Sequence, residues 1–176
     1  VSFTVNDGDN NSNTETRDIT FTAVNDAPQL SNIEAGALSY TEGDGAVDIT
    51  DAVTVSDVDD TNIESAVIQV TGNYQNGEDV LAFTDTANIT GAWNAATGTL
   101  TLTGTDTLAN YQAALRNISY ENTSDDPNTS TRTVSFTVND GDDNSNTETR
   151  DIAFTAVNDA PQLADIEAGA LGYTEG

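Results

Sequence analysis

The sequence predicts an all-β protein, an antiparallel β-sandwich interrupted by one short helix. Three observations carry that prediction. Apolar and polar residues alternate in short runs, turn residues punctuate the runs, and a single segment shows helical spacing.

The runs follow in chain order. Val1/Phe3/Val5 and Ile19/Phe21/Ala23 flank a stretch rich in Asp, Asn and Gly, and a further strand is expected near 37–41. Ala66/Ile68/Val70, Leu100/Leu102, Val134/Phe136/Val138 and Ile152/Phe154/Ala156 repeat the pattern. A period of two puts every second side chain on one face, as half-buried strands require. Hairpin turns are expected at Asn76-Gly77 and within Asn94–Gly98, where glycine permits a positive φ. Leu108, Tyr111 and Leu115 recur at helical spacing, and Asp106 or Thr107 can cap the first turn, so 107–116 reads as a short amphipathic helix covering one end of the sandwich. Trp93, the lone tryptophan, is expected at the core or its edge rather than as a sugar-stacking platform.

Composition narrows the chemistry. The chain has 176 residues with 30 Asp plus Glu against 4 Arg, no Lys and no His, a formal charge of −26. Without Cys there is no disulfide, thiolate metal site or Cys nucleophile. Without His there is no Ser-His-Asp triad or imidazole ligand, and no enzyme is expected. So negative a surface repels phosphate backbones and anionic lipid, so nucleic acid is not an expected partner. No run approaches the ~18 consecutive apolar residues of a spanning helix, so membrane insertion by this segment is not expected either. The expected counter-ligand is a cation.

Residues 1–43 and 134–176 align without a gap at an offset of 133, and only five of the 43 positions differ: Asn10/Asp143, Thr20/Ala153, Ser31/Ala164, Asn32/Asp165 and Ser39/Gly172. Such identity marks a tandem array of which this chain is a segment. Val24-Asn25-Asp26-Ala27-Pro28 recurs as Val157-Asn158-Asp159-Ala160-Pro161, and proline after a small polar cluster marks a junction. The expected frame is therefore a closing hairpin of one repeat at 1–24, a linker at 25–28, a complete domain at 28–157, a second linker at 158–161, and the opening of the next repeat at 161–176. One period, 28–160, carries 22 acids and 3 Arg, a charge of −19. An array of such units repels itself unless cations are bound.

Asp57-Val58-Asp59-Asp60 supplies three carboxylates in four residues, and Asp7-Gly8-Asp9 and Asp140-Gly141-Asp142-Asp143 supply more. Calcium takes six to eight oxygen ligands, and in an extended loop residues i and i+2 point the same way, so an Asp-x-Asp pair can clasp one ion. Asp, Asn and Gly are also ordinary turn formers, and a solvated acidic turn is the competing reading. If consecutive strands alternate in direction, the loop of Asp57, Asp59 and Asp60 returns to the upstream end, beside Asn25 and Asp26, with the loop of Asp140 and Asp142 at the same end. Glu42, the Glu78/Asp79 pair and the Asp125/Asp126 loop fall downstream, beside Asn158 and Asp159.

Gly-Thr-Leu-Thr-Leu-Thr-Gly at 98–104, Leu-Ala-Asn-Tyr-Gln-Ala-Ala-Leu-Arg at 108–116, Ser-Tyr-Glu-Asn-Thr-Ser at 119–124 and Arg-Thr-Val-Ser-Phe-Thr-Val-Asn-Asp-Gly at 132–141, with the Val-Asn-Asp-Ala-Pro junction, resemble the cadherin-like tandem repeats of giant bacterial surface adhesins, including biofilm adhesins of the RTX type. The resemblance implies an Ig/cadherin-like sandwich, secreted to the surface of a Gram-negative cell. Its role would be a calcium-stiffened extender, with neighbouring repeats as partners and the adhesive tip elsewhere. As in cadherins, linker, upstream Glu and downstream Asp-x-Asp would share the ions. The linker Ala23-Val24-Asn25-Asp26-Ala27 is shorter than the cadherin Asp-x-Asn-Asp-Asn, which points to one or two ions per junction rather than three. The glycine-rich nonapeptide calcium repeats of such adhesins are absent from this segment. Two other readings compete: a repeat that itself binds glycan or ice, and an acidic halophilic surface without specific calcium sites, which predicts acids spread over all faces.

Overall fold

A computed structural model describes all 176 residues. In chain order the strands begin with β1 (Ser2–Phe3), β2 (Glu15–Thr16), β3 (Gln29–Ser31), β4 (Leu38–Thr41), β5 (Val47–Asp48) and β6 (Thr54–Ser56). They continue with β7 (Asn62–Gly72), β8 (Asp79–Ala82), β9 (Thr90–Asn94) and β10 (Thr99–Thr107). Helix α1 (Leu108–Arg116) precedes β11 (Ser119–Asn122), β12 (Arg132–Asn139) and β13 (Glu148–Thr155). The chain is thus all-β with one short helix.

Six strands form the main sheet in the order β4-β13-β12-β7-β10-β9. All its pairings are antiparallel except β4 with β13, which run parallel from Ile152↔Leu38 to Thr155↔Thr41. A three-stranded sheet β5-β11-β8 and the pair β3-β6 complete the domain, while β1 and β2 pair only with each other. The apolar alternation is visible in β12, where Arg132, Val134, Phe136 and Val138 are buried and the residues between them are not. One core of 22 buried residues draws on all these sheets except β1-β2, from Leu30 of β3 to Ile152 of β13. Tyr40 of the main sheet meets Tyr120 of the three-stranded sheet edge to face, with ring centroids 5.2 Å apart at 83°.

The helix begins where expected. Thr107 caps it by accepting from Asn110 N, and Tyr111 and Leu115 are buried while Leu108 packs against the core edge. Just before it, β10 shifts register between Thr103 and Asp106 around Gly104, whose φ is +123°. A Cβ there would stand 1.9 Å from the Asn88 carbonyl oxygen, so only glycine fits this bulge. Trp93 is half-buried and meets Tyr74 edge to face at 6.3 Å, at the core edge as expected.

Two expectations are corrected. Asn94–Gly98 is a hairpin turn, joining β9 to β10 with Gly98 at φ +64°. Asn76-Gly77 is a turn but not a hairpin, because β7 and β8 lie in different sheets. The chain crosses between layers there, and β8 pairs with β11, which buries Leu81 and Asp79. Ile19/Phe21/Ala23 forms no strand: Ile19 and Phe21 are 59% and 88% exposed, because no β4-like neighbour lies beside them. The short strands β3, β5, β6, β8 and β11 lie outside the apolar runs, being too short to show a period.

Candidate cation site at the linker

The loop after β6 is organised by its own first aspartate. Asp57 Oδ1 accepts from the amides of Asp59 and Asp60 at 3.1 and 3.0 Å. That leaves Asp57 Oδ2, a buried oxygen without a hydrogen-bond partner. One carboxylate oxygen each from Asp57, Asp59 and Asp60 lies within 4.8 Å of the others. Two ligands bound 2.3–2.6 Å from one calcium stand at most about 5 Å apart, so this triangle can close on a single ion.

The linker docks onto the same loop. Asp26 N donates to Asp59 Oδ1 at 3.2 Å, and the Asn25 side-chain amide donates to Asp140 Oδ2 at 3.1 Å and Asp143 Oδ2 at 3.3 Å. The loop between β12 and β13 repeats the internal capping: Asp140 Oδ1 accepts from the amides of Asp142 and Asp143 at 2.8 and 2.7 Å. The strand-counting expectation thus places Asn25, Asp26, Asp57, Asp59, Asp60, Asp140 and Asp142 correctly at one end.

Electrostatics separate two of these carboxylates. Asp60 is held above the usual carboxylate range, first by desolvation and then by the charges of Asp59, Asp57, Asp140 and Asp142. Asp140 is also desolvated, but the amides of Asp143 and Asp142 and the Asn25 side chain outweigh that and pull it below the range. A dication would relieve the repulsion that Asp60 feels.

Glu64 on β7 is a carboxylate that strand counting missed. Its head lies against Gly141, where a Cβ would stand 2.9 Å from the Glu64 Cδ and φ is +112°. No local motif announces it, since the register of β7 against β12 brings it there. Asp143 belonged to the acidic run but was not singled out; its contact with Asn25 depends on the linker's path.

The downstream end is more divided. Glu42 Oε2 accepts from Val157 N at 2.7 Å, and Glu42, Asp159, Asp125 and the unforeseen Glu121 line a cavity of about 410 Å³. Asn158 does not line it; its side chain donates to the Asp159 carbonyl at 3.3 Å. Glu78 holds Thr123 through its backbone carbonyl, and its Oε2 is buried without a partner. Asp79, expected as a ligand, has another role. It is fully buried in an ion pair with Arg132 at 3.1 Å and also accepts from the Tyr120 hydroxyl at 2.6 Å, Asn122 Nδ2 at 2.7 Å and Gln75 N at 2.7 Å. With both oxygens engaged, it has none to offer an ion. Arg132 in turn stacks 4.8 Å from the Phe154 ring centroid, and burial followed by Asp79 pushes the Tyr120 hydroxyl upward.

Fold and site together define a β-rich repeat module whose linker is pinned between acidic loops. Over 117 residues, 64% of the chain, it is 35% identical to halomucin of Haloquadratum walsbyi (strain DSM 16790 / HBSQ001). That stretch spans 1% of halomucin's length. No family model and no solved structure matches the chain.

Proposed function

We propose that the chain is an extender segment of a large extracellular surface protein, built of cadherin-like β-sandwich repeats and stiffened by calcium at their junctions. The observation that carries this is the Asp57, Asp59 and Asp60 triangle with its orphaned Asp57 Oδ2, onto which linker residue Asp26 folds while Asn25 bonds the neighbouring loop at Asp140 and Asp143. An ion held there would replace the pivot of a short linker with directional Asp–calcium bonds. Glu42, Asp125 and Asp159 would serve the next junction, with Glu78 beside them. Neighbouring repeats are then the partners, and an adhesive tip lies outside this segment. The similarity to halomucin supports a long surface protein; because that relative is archaeal, it does not favour the bacterial setting over an archaeal one.

Melting this chain in millimolar calcium and in chelator tests the site, and solution scattering on two or more complete repeats tests the mechanics. A stiff rod in calcium and a bent chain in chelator is the expected result; equal dimensions in both would sink the extender reading.

A second reading has its own support. Asp48, Asp51, Asp85 and Asp151 are exposed away from the linker cluster, as an acidic, salt-adapted surface requires. Sodium or potassium stabilising as well as calcium at equal ionic strength would decide for it.

A further inference from the structure

We propose that the cleft between α1 and the β8–β9 loop is a saccharide site, in which one pyranose ring lies against apolar side chains and its hydroxyls donate to asparagine and aspartate oxygens. This does not rest on the calcium reading, and no linker residue lines the cleft. Its volume is about 600 Å³, within the range of small-molecule sites.

The two walls are held in place by the bulge of β10. Gly104 lets that strand pass close to the Asn88 carbonyl, and the Tyr111 hydroxyl of α1 donates to the Gly104 carbonyl at 2.6 Å. Asp106 then bridges the walls. Its Oδ1 accepts from Asn110 Nδ2 on the helix at 2.7 Å, and its Oδ2 accepts from Asn88 Nδ2 on the loop at 3.3 Å. The Asn110 side chain first, and then the Thr107 amide, hold the Asp106 carboxyl below the usual carboxylate range.

These bonds use amide N–H groups and leave the oxygens. Asn88 Oδ1 and Asn110 Oδ1 accept nothing from the chain, nor does Asn117 Oδ1, whose Nδ2 donates to the Ala113 carbonyl at 2.9 Å. Asp85 accepts from Gly91 N at 2.8 Å through Oδ1 and keeps Oδ2 free. Free acceptors from both walls thus share the cleft with Phe83, Ala87 and Ala113. No Arg lines it and the chain has no Lys, so an anion would meet only acids. A metal ion wants six or more oxygens, and only Asp85 offers an uncommitted carboxylate oxygen. An organic ammonium wants several aromatic faces, and Phe83 stands alone. A sugar supplies what the lining lacks: hydroxyl donors for neutral amide oxygens, and a C–H face for the apolar side chains.

NMR titration of the isotope-labelled chain in chelator reads the site. Glucose, galactose, mannose and N-acetylglucosamine, each taken to about 50 mM, cover the millimolar affinity expected of a small open cleft. At least one should give saturable shifts in the side-chain amides of Asn88, Asn110 and Asn117 and in the Gly91 amide. Sorbitol, which has the hydroxyls but no ring, and tetramethylammonium, a cation, should not. Ala113→Leu fills the cleft from an exposed helix position, so it should abolish the shifts while keeping the parent melting curve. Asn88→Ala removes one acceptor and should weaken binding by about tenfold, whereas Asn62→Ala, at an exposed asparagine outside the cleft, should leave it unchanged. No saturable shift with any of the sugars, an equal response to sorbitol or tetramethylammonium, or undiminished binding by Ala113→Leu would each overturn the proposal.

Discussion

Residues 1–22 and 134–155 differ at two positions, yet one stretch is an exposed hairpin and the other lies across the centre of a six-stranded sheet. Their loops agree bond for bond. Asp7 Oδ1 accepts from Asp9 N and Asn10 N at 3.0 and 2.9 Å, as Asp140 does from its own successors, and Ser12 and Ser145 accept from Val5 N and Val138 N, each at 3.0 Å. Gly8 and Gly141 have φ of +110° and +112°. What differs is reach. In the second copy β12 extends over eight residues against β7, whereas β1 and β2 hold two residues each. Side chain-to-backbone bonds shape a turn without outside help; strands need a neighbour to bury their apolar face.

The largest expected break of this comparison is Phe136→Ala, which should cost about 3–5 kcal/mol by denaturant unfolding as a core truncation, against a change within about 0.5 kcal/mol for Phe3→Ala. Equal effects would show that the first hairpin is packed in solution. Next comes the ion. Asp57→Ala with Asp59→Ala should remove most of the calcium-linked gain, about 2.7 kcal/mol per site at free calcium 100 times the dissociation constant. Asp140→Ala should reduce it as well, whereas Asp7→Ala, in a loop with no linker against it, should leave it intact; calorimetric melts with and without chelator measure all three.

A smaller contrast separates Asn146→Ala from Asn13→Ala. The first strips the Leu30 amide and carbonyl of their partner and should cost about 1–3 kcal/mol, while the second should cost almost nothing. The smallest effect is acid sensitivity at Glu34. Desolvation raises its pKa, but the Thr50 hydroxyl and Asp51 amide prevail and bring it from 4.5 down to about 2. A depressed carboxylate stabilises above its unfolded pKa and loses that contribution as pH falls through the folded one. Glu34→Gln should therefore flatten the melting temperature between about pH 4.5 and 2. An unaltered slope would remove Glu34 from the acid response.

Much of this was legible along the chain. Alternation located β7, β10, β12 and β13, and helical spacing located α1 to within one residue. Counting strand directions brought Asn25 and Asp26 to the loops of Asp57 and Asp140, because antiparallel order alone decides which end a loop occupies. The same counting placed Asp79 near a junction but could not foresee Arg132 opposite it. That pairing depends on how two sheets stack, and a carboxylate that meets a buried guanidinium is consumed by it.

Period-two patterning, turn chemistry and capping act over a few residues, so the amino-acid order settles them wherever the segment stands. The two copies of the Asp-Gly loop show this, keeping one geometry in two settings. Burial, strand length and the use of each carboxylate depend on what lies across the core. Tyr40 is buried and Tyr173 exposed although both belong to the same Gly-Tyr-Thr-Glu or Ser-Tyr-Thr-Glu run, because only the first has Phe154 and Tyr120 against its ring. Apolar contact energy scales with area removed from water, and that area exists only when a partner surface is present to cover it.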